Sequence, residues 1–142
     1  MNRLRMLLVE DDEDHVFLIR RALRDLDDIE VDLDVISDGE DAVRHLSFQQ
    51  DLHEEAQPQL VVLDLRIPKV SGVEVLRWIR ASDGLGRVPV VVLTSSEHDD
   101  DSRVCWELGA NDYICKPLDG ARLRAEVQAM ARRWTEKQVS EN

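Results

Sequence analysis

Three short runs of continuous apolar residues place the tightest limit on the fold of this chain. Met6–Val9, Leu60–Leu63 and Val90–Leu93 contain no polar residue, which is typical of strands buried on both faces of a parallel sheet. The stretch Val31–Val35 alternates apolar and acidic residues and predicts a half-exposed strand near the edge of that sheet. Asp112–Cys115 is predicted to be a short fifth strand.

The segments between these strands carry apolar residues at helical spacing. Five helices are predicted, over Glu13–Leu26, Gly39–Phe48, Val73–Ser82 and Asp99–Leu108 and from about Asp119 to Trp134. The polar stretch 49–59 has no clear period and predicts a loop. Strict alternation indicates an α/β fold with a parallel sheet covered by helices on both faces. We expect one domain over residues 1–142, with a core of about 4–134 and a tail of about 135–142.

The charge and the cysteine content exclude several classes of protein. The formal net charge is −12, from 30 acidic and 18 basic residues, and it disfavours binding to nucleic acid or to an anionic membrane surface. No apolar run approaches the ~20 residues that span a bilayer. Cys105 and Cys115 match neither a disulfide framework nor a zinc motif. These features predict a reduced, cytoplasmic protein without a membrane segment.

Chemically active residue types stand at the ends of four predicted strands. The acidic run Glu10–Asp12 follows the first strand, Asp64 follows the third, Thr94 follows the fourth and Lys116 follows the fifth. In a parallel sheet these ends lie at one edge, where open α/β sheets bind their ligands. We therefore expect a shallow pocket that combines several carboxylates, a hydroxyl group and one ammonium group.

This combination suits phosphoryl chemistry assisted by a metal ion. Clustered carboxylates repel one another and need a cation, and an all-oxygen site favours Mg²⁺. An aspartate can act as a nucleophile and carry an acyl phosphate, while a metal and a lysine offset charge on the transferring oxygens. Taken alone, Asp64 would be a turn residue and Asp12 the cap of the first helix. The histidines show no ligand pairing and are expected to be solvated or hydrogen-bonded: His15, His45, His53 and His98.

Four motifs together resemble the receiver domain of two-component response regulators. The family's acidic cluster, the segment around its phosphorylated aspartate and its two later motifs are matched, in turn, by Leu8–Asp12, Val61–Gly72, Val92–Ser96 and Asp112–Pro117. Each motif is weak alone, but their order and spacing are specific, and they cover essentially the whole chain. The resemblance implies a flavodoxin-like, doubly wound sheet of five parallel strands in the order 2-1-3-4-5.

The resemblance also implies a phosphorylation site with a bound metal ion. Asp64 would accept a phosphoryl group from a phosphohistidine on a sensor histidine kinase. Mg²⁺ would be held by Asp11, Asp64 and the backbone carbonyl of Arg66, with Glu10 acting through water. Only self-phosphorylation and slow autodephosphorylation are implied, so the chain is not expected to be an enzyme.

The later motifs imply a switch. Thr94 and Lys116 would bind the phosphorylated form, and Tyr113 would be the switch aromatic that enters the space vacated by Thr94. The bond between Lys116 and Pro117 would be cis, as is usual in the family. Because no output domain is visible in the sequence, the signal would pass through contact with an effector, a relay protein or a second copy in a homodimer.

Departures from the common pattern point to a subfamily. Arg66 occupies a variable position at the rim, two residues after the acceptor. The long stretch 49–59, the ending around Trp134 and the lack of an output domain resemble the small regulators that partner bacterial phytochromes. A phytochrome kinase is therefore the partner that this resemblance suggests.

Three other functions share parts of the pattern. A phosphatase of the haloacid dehalogenase type also uses an aspartate nucleophile, but it usually has a second acid where this chain has Arg66. A nucleotide- or flavin-binding module would need a glycine-rich loop after the first strand, where Glu10–Asp12 stands instead. A scaffold or phosphate sink with receiver chemistry differs only in its partners and stays open.

Overall fold

The alternation of strand and helix predicted from the sequence runs through the whole molecule. The computed structural model describes residues 2–141. The strands are β1 (Asn2–Val9), β2 (Ile29–Ile36), β3 (Leu60–Leu63), β4 (Val90–Thr94) and β5 (Asp112–Cys115). The α-helices are α1 (Glu13–Arg24), α2 (Gly39–Gln49), α3 (Gly72–Ala81), α4 (Asp99–Glu107) and α5 (Gly120–Glu141).

The five strands form one parallel sheet in the order β2-β1-β3-β4-β5, which confirms the flavodoxin-like architecture. Every side chain of β3 and β4 is buried, because helices cover both faces of the sheet. Helices α1 and α5 pack on one face, and α2, α3 and α4 pack on the other. No helix in the described part of the chain has the length and apolar character needed to cross a membrane.

Strand β1 and helix α5 extend furthest beyond their predicted bounds. Strand β1 begins at Asn2 rather than Met6, because it pairs with β2 along its whole length, from Asn2 opposite Ile29 onward. Helix α5 continues through the stretch expected to be a tail. Thr135 in that stretch is buried, and its hydroxyl donates to the carbonyl of Ala131 at 2.7 Å.

The irregular stretch between α2 and β3 is tied to β1 by one arginine. It contains a single short 3₁₀ turn, Glu54–Ala56. The guanidinium of Arg5 donates to the carbonyl oxygens of Gln57 at 2.8 Å and Glu54 at 3.0 Å. The predicted loop is thus ordered by hydrogen bonds to its backbone rather than by a helical period.

A second arginine joins α3 to the loops around β4 and β5. Arg80 donates to the carbonyl oxygens of Val88 at 2.7 Å and Gly109 at 2.7 Å, and to the side-chain oxygen of Asn111 at 2.9 Å. That same oxygen of Asn111 accepts from the backbone N–H of Val90 at 2.8 Å. Arg80 therefore links three segments through acceptors that would otherwise lack this donor.

Candidate functional site

The strand ends meet as the sequence predicts, because backbone pairing continues past the strands. The N–H of Asp64 donates to the carbonyl of Val9 at 3.0 Å, and the N–H of Lys116 donates to that of Thr94 at 2.7 Å. Glu10 directly follows β1 in the same row. The side chains of Glu10, Asp64, Thr94 and Lys116 are therefore placed at one edge of the sheet.

A glycine allows α3 to begin against the backbone of this edge. A Cβ atom on Gly72 would lie 2.2 Å from the carbonyl oxygen of Asp64, a distance that no side chain can accommodate. The N–H of Gly72 donates to the carbonyl of Leu65 at 2.9 Å. The loop after β3 is thereby folded back on the strand end, and Asp64 points into the pocket.

Asp64 is the best-connected carboxylate of the site. It is 6% exposed. Its Oδ1 accepts from the hydroxyl of Thr94 at 2.9 Å and from the backbone N–H of Arg66 at 3.2 Å, and its Oδ2 accepts from Lys116 at 2.8 Å. A hydroxyl and an ammonium group thus already contact the carboxylate at which a phosphoryl group would be attached.

Three carboxylates form a set that fits a hard cation. Glu10, Asp11 and Asp64 each offer an oxygen, and these atoms lie within 4.8 Å of one another. Oxygen donors of this kind suit Mg²⁺, and two of the three are buried. The role of the Arg66 backbone carbonyl as a metal ligand stays a prediction.

The neighbouring Asp12 caps the first helix instead, as its position predicted. Its Oδ1 accepts from the backbone N–H groups of Asp14 at 2.9 Å and His15 at 3.3 Å. These bonds satisfy two of the free donors at the start of α1. Asp12 therefore orients the first turn of the helix beside the metal set.

Burial determines the charge state of the cluster. It raises the pKa of Glu10 from 4.5 to about 7, helped by the nearby Asp64 charge and opposed by the hydrogen bond from Lys116. Burial also disfavours the charged form of Asp64, but hydrogen bonds from Lys116, Glu10 and Thr94 outweigh it and hold the pKa of Asp64 below its usual value. Burial likewise opposes the charge on Lys116, yet its bonds to both carboxylates raise the pKa of Lys116. Glu10 and Asp64 thus share the buried ammonium group of Lys116. Of the two carboxyl groups, Glu10 is the one whose charged form is disfavoured.

His15 is a site residue that the sequence did not reveal. Its Nδ1 lies 3.1 Å from the ammonium nitrogen of Lys116 and 3.6 Å from Oε1 of Glu10. The sequence predicts a solvated or hydrogen-bonded histidine, and His15 is hydrogen-bonded, but its partner belongs to the site. Its partner Lys116 is 101 residues away in the chain, so no local spacing could have indicated the contact.

Ser96 connects the acceptor edge to β5 and α4. Its backbone N–H donates to the hydroxyl of Thr94 at 3.3 Å, and its carbonyl accepts from the Tyr113 hydroxyl at 3.1 Å and from the Cys115 thiol at 3.4 Å. Its own hydroxyl donates to a carboxylate oxygen of Asp101. Tyr113 is therefore linked to Thr94 through one intervening residue, and the predicted switch pair lies within one network.

The expectation of a cis peptide bond between Lys116 and Pro117 is wrong. Among the described residues no peptide bond is cis. Trans is the ordinary, lower-energy form of a bond before proline. With this form the N–H of Lys116 still pairs with the carbonyl of Thr94, and its side chain still reaches Asp64.

Comparison with known proteins identifies the family to which this fold belongs. The family model for the response regulator receiver domain matches residues 6–128. The chain belongs to the response regulator receiver family. Among its relatives, the probable methanogenesis regulatory protein FilR2 of Methanothrix harundinacea is 40% identical over 132 residues, which cover 91% of this receiver and 82% of FilR2.

Solved structures of response regulators resemble this receiver closely in three dimensions. The phosphorylated cyanobacterial phytochrome response regulator RcpA superposes with a TM-score of 0.85 at 32% identity, covering 93% of this receiver and 94% of RcpA. The Mn²⁺-bound form of response regulator Rcp1 superposes with a TM-score of 0.81 at 34% identity, covering 94% and 95% of the two chains. By sequence, Rcp1 of Synechocystis sp. is 36% identical over 131 residues, which cover 92% of this receiver and 88% of Rcp1.

Proposed function

We propose that this receiver accepts a phosphoryl group on Asp64 from a sensor histidine kinase, with Mg²⁺ held beside the acceptor. The observation that carries the proposal is the environment of Asp64. Its two oxygens contact the Thr94 hydroxyl and the Lys116 ammonium, and the oxygens of Glu10 and Asp11 lie within 4.8 Å of its own. The phosphorylated state of RcpA and the Mn²⁺-bound state of Rcp1 support the same chemistry here.

The transfer needs only the residues at this edge and a phosphohistidine donor. A carboxylate oxygen of Asp64 forms a bond to phosphorus, the bond between phosphorus and the donor's ring nitrogen breaks, and the released imidazole takes up a proton. Asp11, Asp64 and the backbone carbonyl of Arg66 would hold Mg²⁺, with Glu10 acting through water, and the ion would supply positive charge near the transferring oxygens. Lys116 adds a second positive charge, and the low pKa of Asp64 keeps the nucleophile ionised at neutral pH.

The product then competes for the groups that contact Asp64 in the resting state. A phosphoryl group adds up to about two negative charges and three strong acceptor oxygens. Thr94 is drawn to those oxygens, and its bond to the backbone of Ser96 is rearranged. Because Ser96 also holds the Tyr113 hydroxyl, the rearrangement reaches β5 and the start of α4.

The partners follow from this chemistry. The donor is a histidine kinase, and the resemblance to the cyanobacterial phytochrome response regulator RcpA favours a phytochrome kinase. A protein that prefers the rearranged β5 and α4 surface, or a second copy of the chain, reads the signal. Beyond accepting and slowly losing its own phosphoryl group the receiver has no enzymatic activity, and its two free cysteines suit the reducing cytoplasm.

Intact-mass measurement after incubation with acetyl phosphate and Mg²⁺ tests the proposal directly. We expect the protein to gain the mass of one phosphoryl group. This gain should not occur when the incubation contains EDTA in place of Mg²⁺. The variant Asp64→Asn should not be labelled. Asp12→Asn is the matched control, since asparagine caps a helix as well as aspartate does, and it should be labelled as wild type.

Three outcomes would contradict the proposal. Labelling of Asp64→Asn at the wild-type rate would place the acceptor elsewhere. Failure of the wild type with both acetyl phosphate and phosphorylated kinases would leave the scaffold function. Steady turnover of a phosphate monoester, measured in the same buffer, would instead support a phosphatase.

A further inference from the structure

We propose that His15 is a positioning residue for phosphoryl transfer, which holds the Lys116 ammonium against the acceptor by accepting its third hydrogen bond. This inference rests on the proposed function of Asp64 and deepens it. His15 lies outside the set of carboxylates that fits the metal, and its hydrogen bond at the site is to Lys116. Its effect on the reaction is therefore exerted through Lys116.

The hydrogen bonds of Lys116 account for all of its donors. A lysine ammonium group has three N–H bonds and no acceptor. The Lys116 nitrogen contacts Oε1 of Glu10, Oδ2 of Asp64 at 2.8 Å and Nδ1 of His15 at 3.1 Å. The Lys116 side chain is 5% exposed, so a donor without a partner would be poorly solvated. His15 completes the set.

The ring orientation of His15 follows from the start of α1. The N–H of His15 is bound by the capping carboxylate of Asp12, which fixes the backbone from which the ring projects. Two carboxylate oxygens also face Nδ1: Oε1 of Glu10 lies at 3.6 Å and Oδ2 of Asp12 at 3.4 Å. To accept from Lys116, Nδ1 must carry a lone pair, so the proposal requires the ring proton to be on Nε2.

A neutral acceptor has a function here that the two carboxylates cannot supply. Glu10 and Asp64 belong to the proposed metal set, so their oxygens are shared between a cation and Lys116. Asp64 also changes its chemical form when it is phosphorylated. The contact with His15 depends on neither event, and it keeps the ammonium within reach of the incoming phosphoryl oxygens throughout.

Paired substitutions separate the acceptor atom of His15 from the bulk of its ring. His15→Asn keeps an acceptor on Cγ, where Nδ1 is attached, whereas His15→Leu has a similar size and no acceptor. In a time course with acetyl phosphate and Mg²⁺, His15→Leu should be labelled roughly tenfold more slowly, as expected for loss of a hydrogen bond to a charged group. His15→Asn should remain within about twofold of wild type.

Mg²⁺ affinity provides the control for the metal set. Because His15 is outside that set, calorimetric titration should give the same dissociation constant for wild type, His15→Asn and His15→Leu. A clear loss of affinity in both variants would show that His15 supports the metal rather than Lys116, and it would overturn the proposal.

The ring tautomer gives a readout that does not depend on phosphorylation. In metal-free protein at pH 8, two-bond proton–nitrogen spectra should show the proton of His15 on Nε2. A proton on Nδ1, or equal labelling rates for the Leu and Asn variants, would refute the positioning role. If the wild type takes up no phosphoryl group while the tautomer is as expected, the proposed function fails and the contact itself stands.

Discussion

The two outer strands of the sheet, β2 and β5, form its lateral edges and are anchored in different ways. At one edge, β2 pairs with β1 over eight residues, and its Val31, Leu33 and Val35 pack against the apolar cluster that contains α1 and α5. At the other edge, β5 has four residues, of which none is fully buried, and α4 buries only Cys105. The β2 side is thus held by apolar burial, and the β5 side has little of it.

Polar contacts compensate at the β5 edge. Arg80 ties α3 to Gly109 and Asn111 just before β5, and Ser96 joins β4 to β5 and α4. Regions with few buried apolar contacts open at lower free energy than a packed core, and moving elements are drawn from them. The proposed signal leaves Asp64 through Thr94 toward this edge, which is the part of the fold that can rearrange at the smallest cost.

The largest expected effect concerns Glu10, at the end of β1 on the packed side. In metal-free protein its pKa is raised from 4.5 to about 7 by burial. The folded state therefore binds this proton more tightly than the unfolded chain does, so its stability is greatest below pH 4.5 and falls as the pH rises through 7. Between pH 5 and pH 8 we expect a loss on the order of 3 kcal/mol, measured by urea denaturation in EDTA.

The variant Glu10→Gln isolates this dependence, since it cannot ionise. Its loss of stability over the same interval should be smaller by most of that amount, and Mg²⁺ should restore the wild type at pH 8. Parallel curves for the two proteins would show that the buried charge costs nothing. The exposed acids Asp99 and Asp100 on the β5 side should give no comparable effect when replaced by asparagine or glutamine.

The second expected effect tests whether polar contacts anchor the β5 edge. Arg80→Met keeps most of the aliphatic stem and removes the guanidinium, so several carbonyl oxygens and Asn111 lose their donor. We expect a loss of about 2 to 3 kcal/mol in the free energy of unfolding. Arg77→Met on the same helix is the control, because Arg77 is exposed and pairs with the exposed Glu74, and it should change stability by less than about 0.5 kcal/mol. Equal losses for the two variants would show that Arg80 does not anchor the β5 edge.

Much of this architecture could be predicted from the sequence, because the constraint is local. The apolar runs of β3 and β4 require burial on both faces, and strict alternation then leaves a parallel sheet with one functional edge. The convergence of Asp64, Thr94 and Lys116 follows from that topology alone. The predicted β1 is shorter than the observed strand, because Arg3 and Arg5 interrupt the apolar pattern although their backbones pair with β2.

The remaining features depend on contacts between distant residues. His15 meets Lys116 only because the helix after β1 and the loop after β5 are neighbours in space. The contact between Ser96 and Asp101 depends on the path of the loop before α4, which no residue type specifies. The expected cis bond at Pro117 came from the family resemblance, and nothing in the residues themselves required it.

A third, smaller effect compares the two edges with the same substitution. Val127 in α5 is 1% exposed, and Val104 in α4 is half-buried. Val127→Ala should lower the free energy of unfolding by about 2 kcal/mol, because it removes two methyl groups from a packed interface. Val104→Ala should cost less than about 1 kcal/mol, since its site is partly open to water. A larger loss at Val104 would mean that α4 is anchored by burial after all.

The smallest expected effect is local, and it concerns the contact between Asp101 and Ser96. Asp101→Ala removes the acceptor of the buried Ser96 hydroxyl and should destabilise the closed loop by about 1 kcal/mol. Amide hydrogen exchange at residues 96–98 should then be roughly fivefold faster, while the β1 and β2 amides stay unchanged.

Asp100→Ala is the matched control for the charge near the helix terminus. Both residues stand in the first turn of α4, so both substitutions remove the same favourable interaction with the helix dipole. Asp100 pairs with Arg103 at the surface and does not contact Ser96. If both variants accelerate exchange equally, the helix dipole explains the effect. If only Asp101→Ala does so, the hydrogen bond between Ser96 and Asp101 sets how readily the β5 edge opens.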